Sequence, residues 1–506
     1  PPNIRSEKES ITYTFITLLL FFLLYISSFC FAIVNLDEPF FLCYTIFRKN
    51  KSRYAAKRKG ISSKMQQQHS LLKQFIRFST ATVASLMVFS LYSIVDGLFV
   101  ARGVGEYAMS AVNLAVPFIN LLFSIAVIFA VGTSTIIAYL LGQGNPQSAN
   151  RLFSQNLVTL AVIGATISIL VMVFTEPFAL LLGANADTLE YTIHYLQGLA
   201  PFAVCFMISY NLEVLVKTDG RPRMALVTVC VGCVTNCVLD YLAIFHWGMG
   251  IWGAAAATGV SQLLTCVIYM THFLGKHTTF HPVRFRMDWN IYRRLLPIGI
   301  SDGLTELCNG LMIFLFNHTI LRCIGTDGLV AYTIIAYSNT LVINITMGIS
   351  QGSQPLISFQ NGRGDGESIG KLLRYGLRTM CGVAAVCFTA LFLAAPTLVG
   401  AFLPDAKPEM LDFATDAFRR YSLCYLPVGF NIYIAGFLTA MERPLPAVTI
   451  STGRGLILQS CALLLLAAIV GGSSIWFAPL ISELLCLGVS IFFLLRLKKT
   501  HRTLSQ

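Results

Sequence analysis

Twelve apolar runs, each long enough to cross a bilayer, dominate the chain from Lys73 onward. A spanning helix needs about 20 mostly apolar residues. The runs are Phe75–Arg102, Ser110–Leu141, Phe153–Phe174, Tyr195–Val216, Met224–Phe245 and Ile251–Leu274, then Leu295–Leu321, Leu329–Phe359, Leu372–Leu398, Phe413–Met441, Ala447–Val470 and Ile475–Leu497. Hydrocarbon offers no water to backbone amides, so such runs fold as helices that bond internally. Composition agrees. Only 12% of the 506 residues are charged and 55% are hydrophobic, against about 25% charged in a soluble domain. That excludes an ordinary soluble enzyme, and it excludes disorder, which needs low hydrophobicity.

The net charge of +12 does not point to nucleic acid, because the basic residues fall in short clusters between apolar runs, as positive-inside charge does. They precede span 1 and follow the even-numbered spans. Examples are Lys217, Arg221 and Arg223, then Lys276, Arg284, Arg286, Arg293 and Arg294, then Arg496, Lys498, Lys499 and Arg502. The alternate connections hold Arg102, Arg322, Lys407 and little else that is basic. This places both ends of the twelve-helix unit in the cytoplasm of a multi-pass inner-membrane protein. The 14 cysteines are scattered, mostly inside apolar runs, and read as packing residues rather than a disulfide framework. Cys230, Cys233 and Cys237 share one apolar helix without a histidine cluster, so they are not read as a metal site.

Residues 1–66 stand apart. Ile11 to Val34 is apolar and a basic run follows from Arg48 to Lys59. The segment can be an extra anchor, a signal peptide or translated sequence upstream of a start at Met65. A signal peptide carries its positive charge before the apolar run, and here it lies after. The upstream-translation reading is preferred, and the segment is left out of the functional unit.

The unit contains an internal duplication. Shifting by 220 residues overlays Gly105–Phe153 on Gly325–Leu373 without gaps. Ten of the 49 positions are identical, including Gly132/Gly352, Gly142/Gly362, Gly144/Gly364 and Ser148/Ser368, so the matches gather at turns rather than at Leu and Val. Gly142 and Gly144 end helix 2 where the backbone turns, and Ser148 can cap helix 3. Arg221-Pro222 after helix 4 matches Arg443-Pro444 after helix 10. Six helices per repeat is an even number, so the halves share one orientation and are related by an axis along the membrane normal. The expected organisation is an extension over 1–66, a first lobe over 67–282 with helices 1–6, and a second over 283–506 with helices 7–12 and a cytoplasmic tail.

Ionisable groups at depth are costly and mark function. Asp96 lies late in helix 1 and Asp240 late in helix 5, both running outward, while Thr258 lies early in helix 6, running inward. All three fall in the outer half of the bilayer. Asn236 precedes Asp240 by one helical turn and shares its face. Two carboxylates, an amide and a hydroxyl at one depth form an oxygen-rich set that suits a hard cation or, with a desolvated carboxylate, a proton. In the second half, Glu306 lies mid-membrane in helix 7 with Asp302 one turn earlier. This pair can attract a cationic substrate, carry a proton, or be buried against an arginine such as Arg419 or Arg454. Glu483 in helix 12 has no assigned role. No catalytic nucleophile, zinc spacing or cofactor-binding pattern emerges.

With these residues in place, the chain resembles the multidrug and toxic compound extrusion (MATE) family over Lys73 to about Lys499. The resemblance is carried by Tyr92-Ser-Ile-Val-Asp-Gly-Leu-Phe-Val100 in helix 1, Asn236-Cys-Val-Leu-Asp240 in helix 5, Gly253-Ala-Ala-Ala-Ala-Thr258 in helix 6 and Gly348-Ile-Ser-Gln-Gly-Ser-Gln-Pro-Leu-Ile-Ser-Phe359 in helix 8. It implies an all-α membrane fold of two six-helix bundles about a V-shaped cavity. It further implies exchange of organic cations for Na⁺ or H⁺, with Asp96, Asn236, Asp240 and Thr258 as the cation site and Glu306 as the helix 7 acid. The helix 10 acid of some members has no counterpart beyond Asp416 near the outer end. The expected protein is a monomeric antiporter in membrane lipid that acts on small cationic amphiphiles, with no cofactor, no nucleic-acid partner and no enzymatic activity. A lipid-linked or polysaccharide flippase of related architecture is the nearer alternative, although flippases favour cationic cavities and the mid-membrane charges here are acidic. A membrane-embedded enzyme is the more distant one.

Overall fold

The computed structural model describes residues 55–275, 278–404 and 406–504. Among them, twelve helices are long and apolar enough to span a bilayer. They are α1 Ser70–Gly103, α2 Tyr107–Gly142, α3 Pro146–Val173, α4 Leu189–Thr218, α5 Pro222–His246, α6 Gly250–Phe273, α7 Asn290–Cys323, α8 Thr326–Gly362, α9 Gly366–Phe402, α10 Pro408–Ala440, α11 Pro444–Ile469 and α12 Gly472–Leu497. The helix that carries α1 begins at Ala55. The apolar stretch Ile11–Val34 lies outside the described residues.

Each expected span has a helix, and several helices overrun their apolar runs because polar turns extend both ends. The start of α3 shows why. Asn145, not Ser148, is its cap: the Asn145 side chain accepts the Ser148 amide at 3.1 Å, and Pro146 follows in the first turn. The second half repeats this with Asp365 accepting the Ser368 amide at 3.0 Å and its hydroxyl at 2.7 Å. The matched serines are therefore the capped residues, three positions after the acceptor that satisfies their free N–H. These contacts hold the Asp365 carboxyl below the ordinary carboxylate range. Before each cap, Gly144 and Gly364 turn the chain with φ of 75° and 68°, a region that disfavours a side chain.

Helices α1–α6 and α7–α12 form two bundles, each around its own apolar core. Phe118, Phe153, Leu196, Leu212 and Phe273 belong to the first core, and Phe316, Leu372, Phe418, Tyr433 and Trp476 to the second. The two cores exchange members. Leu71, Phe75 and Val83 of α1 pack into the second core, while Tyr292, Leu295 and Ile298 of α7 pack into the first.

The bundles meet where α2 packs on α7, and α1 and α2 pack on α8. Glycines set these crossings. A Cβ on Gly142 would fall on the Phe359 carbonyl oxygen, and one on Gly362 would fall on the Tyr139 carbonyl oxygen. Tyr139 and Phe359 are themselves repeat partners, so the pseudo-two-fold axis passes between Gly142 and Gly362. One level deeper, Gly299 of α7 abuts the Ile128 backbone of α2, and Gly348 of α8 abuts the Val83 backbone of α1. Position 348 is the repeat partner of Ile128, so the two crossings are equivalent but carry their glycine on opposite helices. Ser124 adds a hydrogen bond to the Gly303 carbonyl at 2.9 Å. These contacts lie toward the face that bears the basic connections.

The connection from α6 to α7 is fastened to the first bundle. Asn150 of α3 accepts the His281 amide at 3.0 Å, Ser154 accepts the Val283 amide at 2.8 Å, and Gln155 bonds both the amide and the carbonyl of Asp288 at 3.2 and 2.8 Å. The Asp219 carboxylate, at the end of α4, accepts from the Thr279 amide at 2.7 Å and from His272 at 2.8 Å.

Gly142→Ala places a methyl in a close backbone approach between the bundles and is expected to cost about 1–3 kcal/mol. Thermal unfolding in detergent tests this. Gly366→Ala is the control, because nothing lies within 4 Å of its Cβ direction, and it is expected to stay within about 0.5 kcal/mol of the parent.

Candidate functional site: an acceptor-rich cluster in the first bundle

Helices α1, α5 and α6 pack against one another and bring together all four residues singled out in the first half. Asn236, Asp240 and Thr258 are buried, at 1%, 0% and 7% exposure, and Asp96 is half-buried. The Asn236 side-chain amide donates to the Thr258 hydroxyl at 3.2 Å, and that hydroxyl donates to the Ala254 carbonyl at 3.2 Å. The Asn236 side-chain oxygen is thereby turned away from the donors. The carboxyl groups of Asp96 and Asp240 are neighbours within electrostatic reach of each other. The phenols of Tyr92 on α1 and Tyr195 on α4 lie within electrostatic reach of both.

What the cluster lacks is donors. Both carboxylate oxygens of Asp240 and the side-chain oxygen of Asn236 are buried without a hydrogen-bond partner. Buried polar atoms are almost always satisfied, so three orphaned acceptors in one place call for an explanation. Two carboxylates in contact are stable only with a proton or a cation between them. A small hard cation can take all three oxygens at once, a shared proton relieves only the carboxylate pair, and an apolar or anionic ligand satisfies none.

The second-half acids are arranged differently. Asp302 is 9% exposed and already has donors: Ser301 at 3.2 Å and Gln354 of α8 at 3.2 Å. It lines a small cavity between α7, α8, α10 and α11 that Arg454 also lines. Glu306 is half-buried, and both α7 acids lie within electrostatic reach of the Tyr210 phenol on α4 of the other bundle. Neither arginine weighed as its partner pairs with it. Arg454 binds Glu483, with its two nitrogens 2.8 and 3.0 Å from Oε1. Arg419 stacks on Phe392 at 5.3 Å.

Glu483 thereby gains a role. Its Oε2 and its backbone carbonyl accept from Asn431 at 2.7 and 2.8 Å, and Ser490 donates to the Asn431 oxygen at 2.8 Å. Arg454, Glu483 and Asn431 join α11, α12 and α10 at the centre of the second bundle. Every charge there has partners, so the network braces the bundle.

One feature escaped the sequence reading. Lys217, grouped with the loop charges, is 5% exposed within the last turn of α4 and pairs with Glu213 at 2.7 Å. The signal was present: a Glu four residues before a Lys is the favourable helical spacing. Expecting span 4 to end at Val216 concealed it.

The structure and sequence were compared with known proteins. The profile of the MatE family matches twice, over residues 81–242 and 303–460, once per half of the duplication. Multidrug export protein MepA of Staphylococcus saprophyticus is 24% identical over 434 residues, covering 84% of this chain and 94% of that protein. The protein of the same name from Staphylococcus haemolyticus is 24% identical over 440 residues, covering 85% and 95%. The fold matches the structure described as MATE in complex with MaL6 with a TM-score of 0.80 at 20% identity, covering 85% of this chain and 97% of that one. A MOP superfamily transporter from Pyrococcus furiosus, described as having a binding pocket of reverse polarity, matches with a TM-score of 0.77 at 20% identity, covering 84% and 95%.

Glu483→Gln leaves Arg454 charged and unpaired, and is expected to cost about 3–5 kcal/mol of stability. The double change Arg454→Met with Glu483→Leu is expected to recover most of that loss. Thermal unfolding of the purified variants checks both. A transport role for the pair would instead leave the double variant stable and inactive.

Proposed function

The chain belongs to the MatE family of multidrug efflux transporters, and from that premise we propose that it is a secondary antiporter exporting organic cations in exchange for Na⁺ or H⁺. Asp96, Asn236, Asp240 and Thr258 hold the coupling ion, and Glu306 with Asp302 forms the substrate-side or second proton site. The observation that carries this reading is the set of three orphaned oxygens on Asn236 and Asp240. A multidrug exporter needs a place where inward ion flow is linked to a conformational change. An acceptor cluster shared by three helices supplies one, because its occupant draws α1 toward α5 and α6.

In this reading the occupant enters from the outer side, where the depth of Asp96 and Asp240 places the cluster. A bound Na⁺, or a proton between the two carboxyls, cancels their repulsion and favours the packing in which α1 lies against α5. Release to the cytoplasm restores the repulsion, and α1 separates from α5. An organic cation balances Glu306, whose carboxylate looks across to Tyr210 of the other bundle, and the aromatic ring offers a second favourable surface for positive charge. Loop charge supports cytoplasmic placement of both ends of the twelve-helix unit. The transporter works as a monomer in lipid, and the acidic character of the mid-membrane groups speaks against an anionic lipid head group as cargo.

The test is dye efflux from proteoliposomes carrying the purified protein, with either a Na⁺ gradient or a pH gradient imposed. One gradient is expected to drive efflux and the other not. Asp96→Asn is expected to lower driven efflux at least tenfold while the protein still inserts and purifies normally. Efflux from Asp96→Asn at the parent rate under both gradients would remove the proposed coupling site.

A further inference from the structure

The turn that follows α10 carries a glutamate where its repeat partner carries a glycine. After α4, the amide of Arg221 bonds the Val216 carbonyl at 3.1 Å and that of Gly220 bonds Lys217 at 2.9 Å. After α10 the same pair of bonds forms, from Arg443 to Leu438 at 2.9 Å and from Glu442 to Thr439 at 3.0 Å. This termination requires a left-handed residue, normally glycine. Gly220 has φ of 83° and Glu442 has φ of 55°, the one non-glycine in that region among the described residues. A side chain is disfavoured there, and persistence of such a conformation points to something that holds it.

What holds it is Arg294, in the first turns of α7. Its Nη2 lies 2.7 Å from each carboxylate oxygen of Glu442 and its Nε lies 2.9 Å from Oε2. The same guanidinium sits over the ring of Tyr139 of α2, 4.9 Å from its centroid. Tyr139 is the residue whose carbonyl meets Gly362 at the crossing of the bundles. Arg294 therefore bridges α2 of the first bundle and the α10–α11 turn of the second, on the face bearing the basic connections. A planar guanidinium suits both partners, by paired bonds to a carboxylate and by stacking on a ring.

We propose that Glu442 and Arg294 are positioning residues of the transport cycle: together they latch the basic face shut against Tyr139, and the latch breaks each time that face opens. The proposal rests on the antiport reading above, taken as alternating access in which the two faces open in turn. Glycine at position 442 keeps the turn and relieves its strain but releases Arg294, so a glutamate there trades local comfort for a bond across the closed face.

The experiment measures distances by pulsed electron paramagnetic resonance between spin labels on encoded non-natural residues at Gln147 of α3 and Gly366 of α9, in the full chain in lipid nanodiscs. The parent is expected to show a major short-distance and a minor long-distance population. Glu442→Gly and Glu442→Gln are each expected to raise the ratio of long to short about two- to fivefold, as loss of a partly exposed ion pair allows. Arg294→Gln combined with Glu442→Gln is expected to shift it no further than Arg294→Gln alone, the signature of one shared interaction. An unchanged ratio in both Glu442 variants, or additive shifts in the double variant, would overturn the latch. A parent that shows one distance at every Na⁺ concentration and pH would instead overturn alternating access, and the latch with it.

Discussion

The bundles are held together by backbone lying against backbone. At Gly142, Gly362, Gly299 and Gly348 no side chain separates the helices, and the packing elsewhere at this junction depends on that approach. Lipid tails are as apolar as leucine, so burying apolar surface gains little in a membrane, and small residues that admit close packing supply the association instead. Such contacts add many small dispersion terms and few directional bonds. They are firm when complete and are lost together when the helices part, which would suit the opening that the proposed antiport requires. The exchange of core residues between α1 and α7 reinforces it, because separating the bundles at this face also withdraws Phe75 and Leu295 from the cores they complete.

The two halves share a scaffold and divide the chemistry. In the first bundle Asp240 and Asn236 present oxygens with no donors. In the second, the interior between α10, α11 and α12 is filled by Arg454, Glu483, Asn431 and Ser490, joined by hydrogen bonds and an ion pair. In the proposed antiporter, a site that binds and releases a cation has to be stable without it only to a limited degree, and unsatisfied acceptors meet that condition. A fully bonded ion pair does not, since either partner left alone in low dielectric is costly. Duplication thus provided two related frames, of which one holds unpaired acceptors and the other a brace.

Much of this was legible in the sequence, in a pattern that follows the physics. The spans were legible because hydrocarbon thickness fixes their length, and the turns because Gly144 and Gly364 need φ that other residues resist. Asp96, Asn236, Asp240 and Thr258 were legible from depth and helical spacing. What was hidden depends on partners far apart in the chain. Arg454 and Glu483 lie on different helices, and nothing in either span says that they meet rather than Arg454 meeting Glu306. Lys217 was concealed because a charged residue at the end of an apolar run looks like loop until its Glu213 partner is noticed. Caps shifted from serine to Asn145 and Asp365 because both kinds of residue occupy the same turn and only geometry says which accepts.

The fastening of the α6–α7 connection along α3 has a mechanical result. Its backbone is bonded to Asn150, Ser154 and Gln155 as far as Asp288, and α7 begins two residues later at Asn290. A tether of this length would ordinarily let the two bundles drift over many ångströms. Here its slack is taken up, and it functions as an arm of the first bundle that ends in a single short joint. The covalent link between the two halves is thereby shortened to that joint.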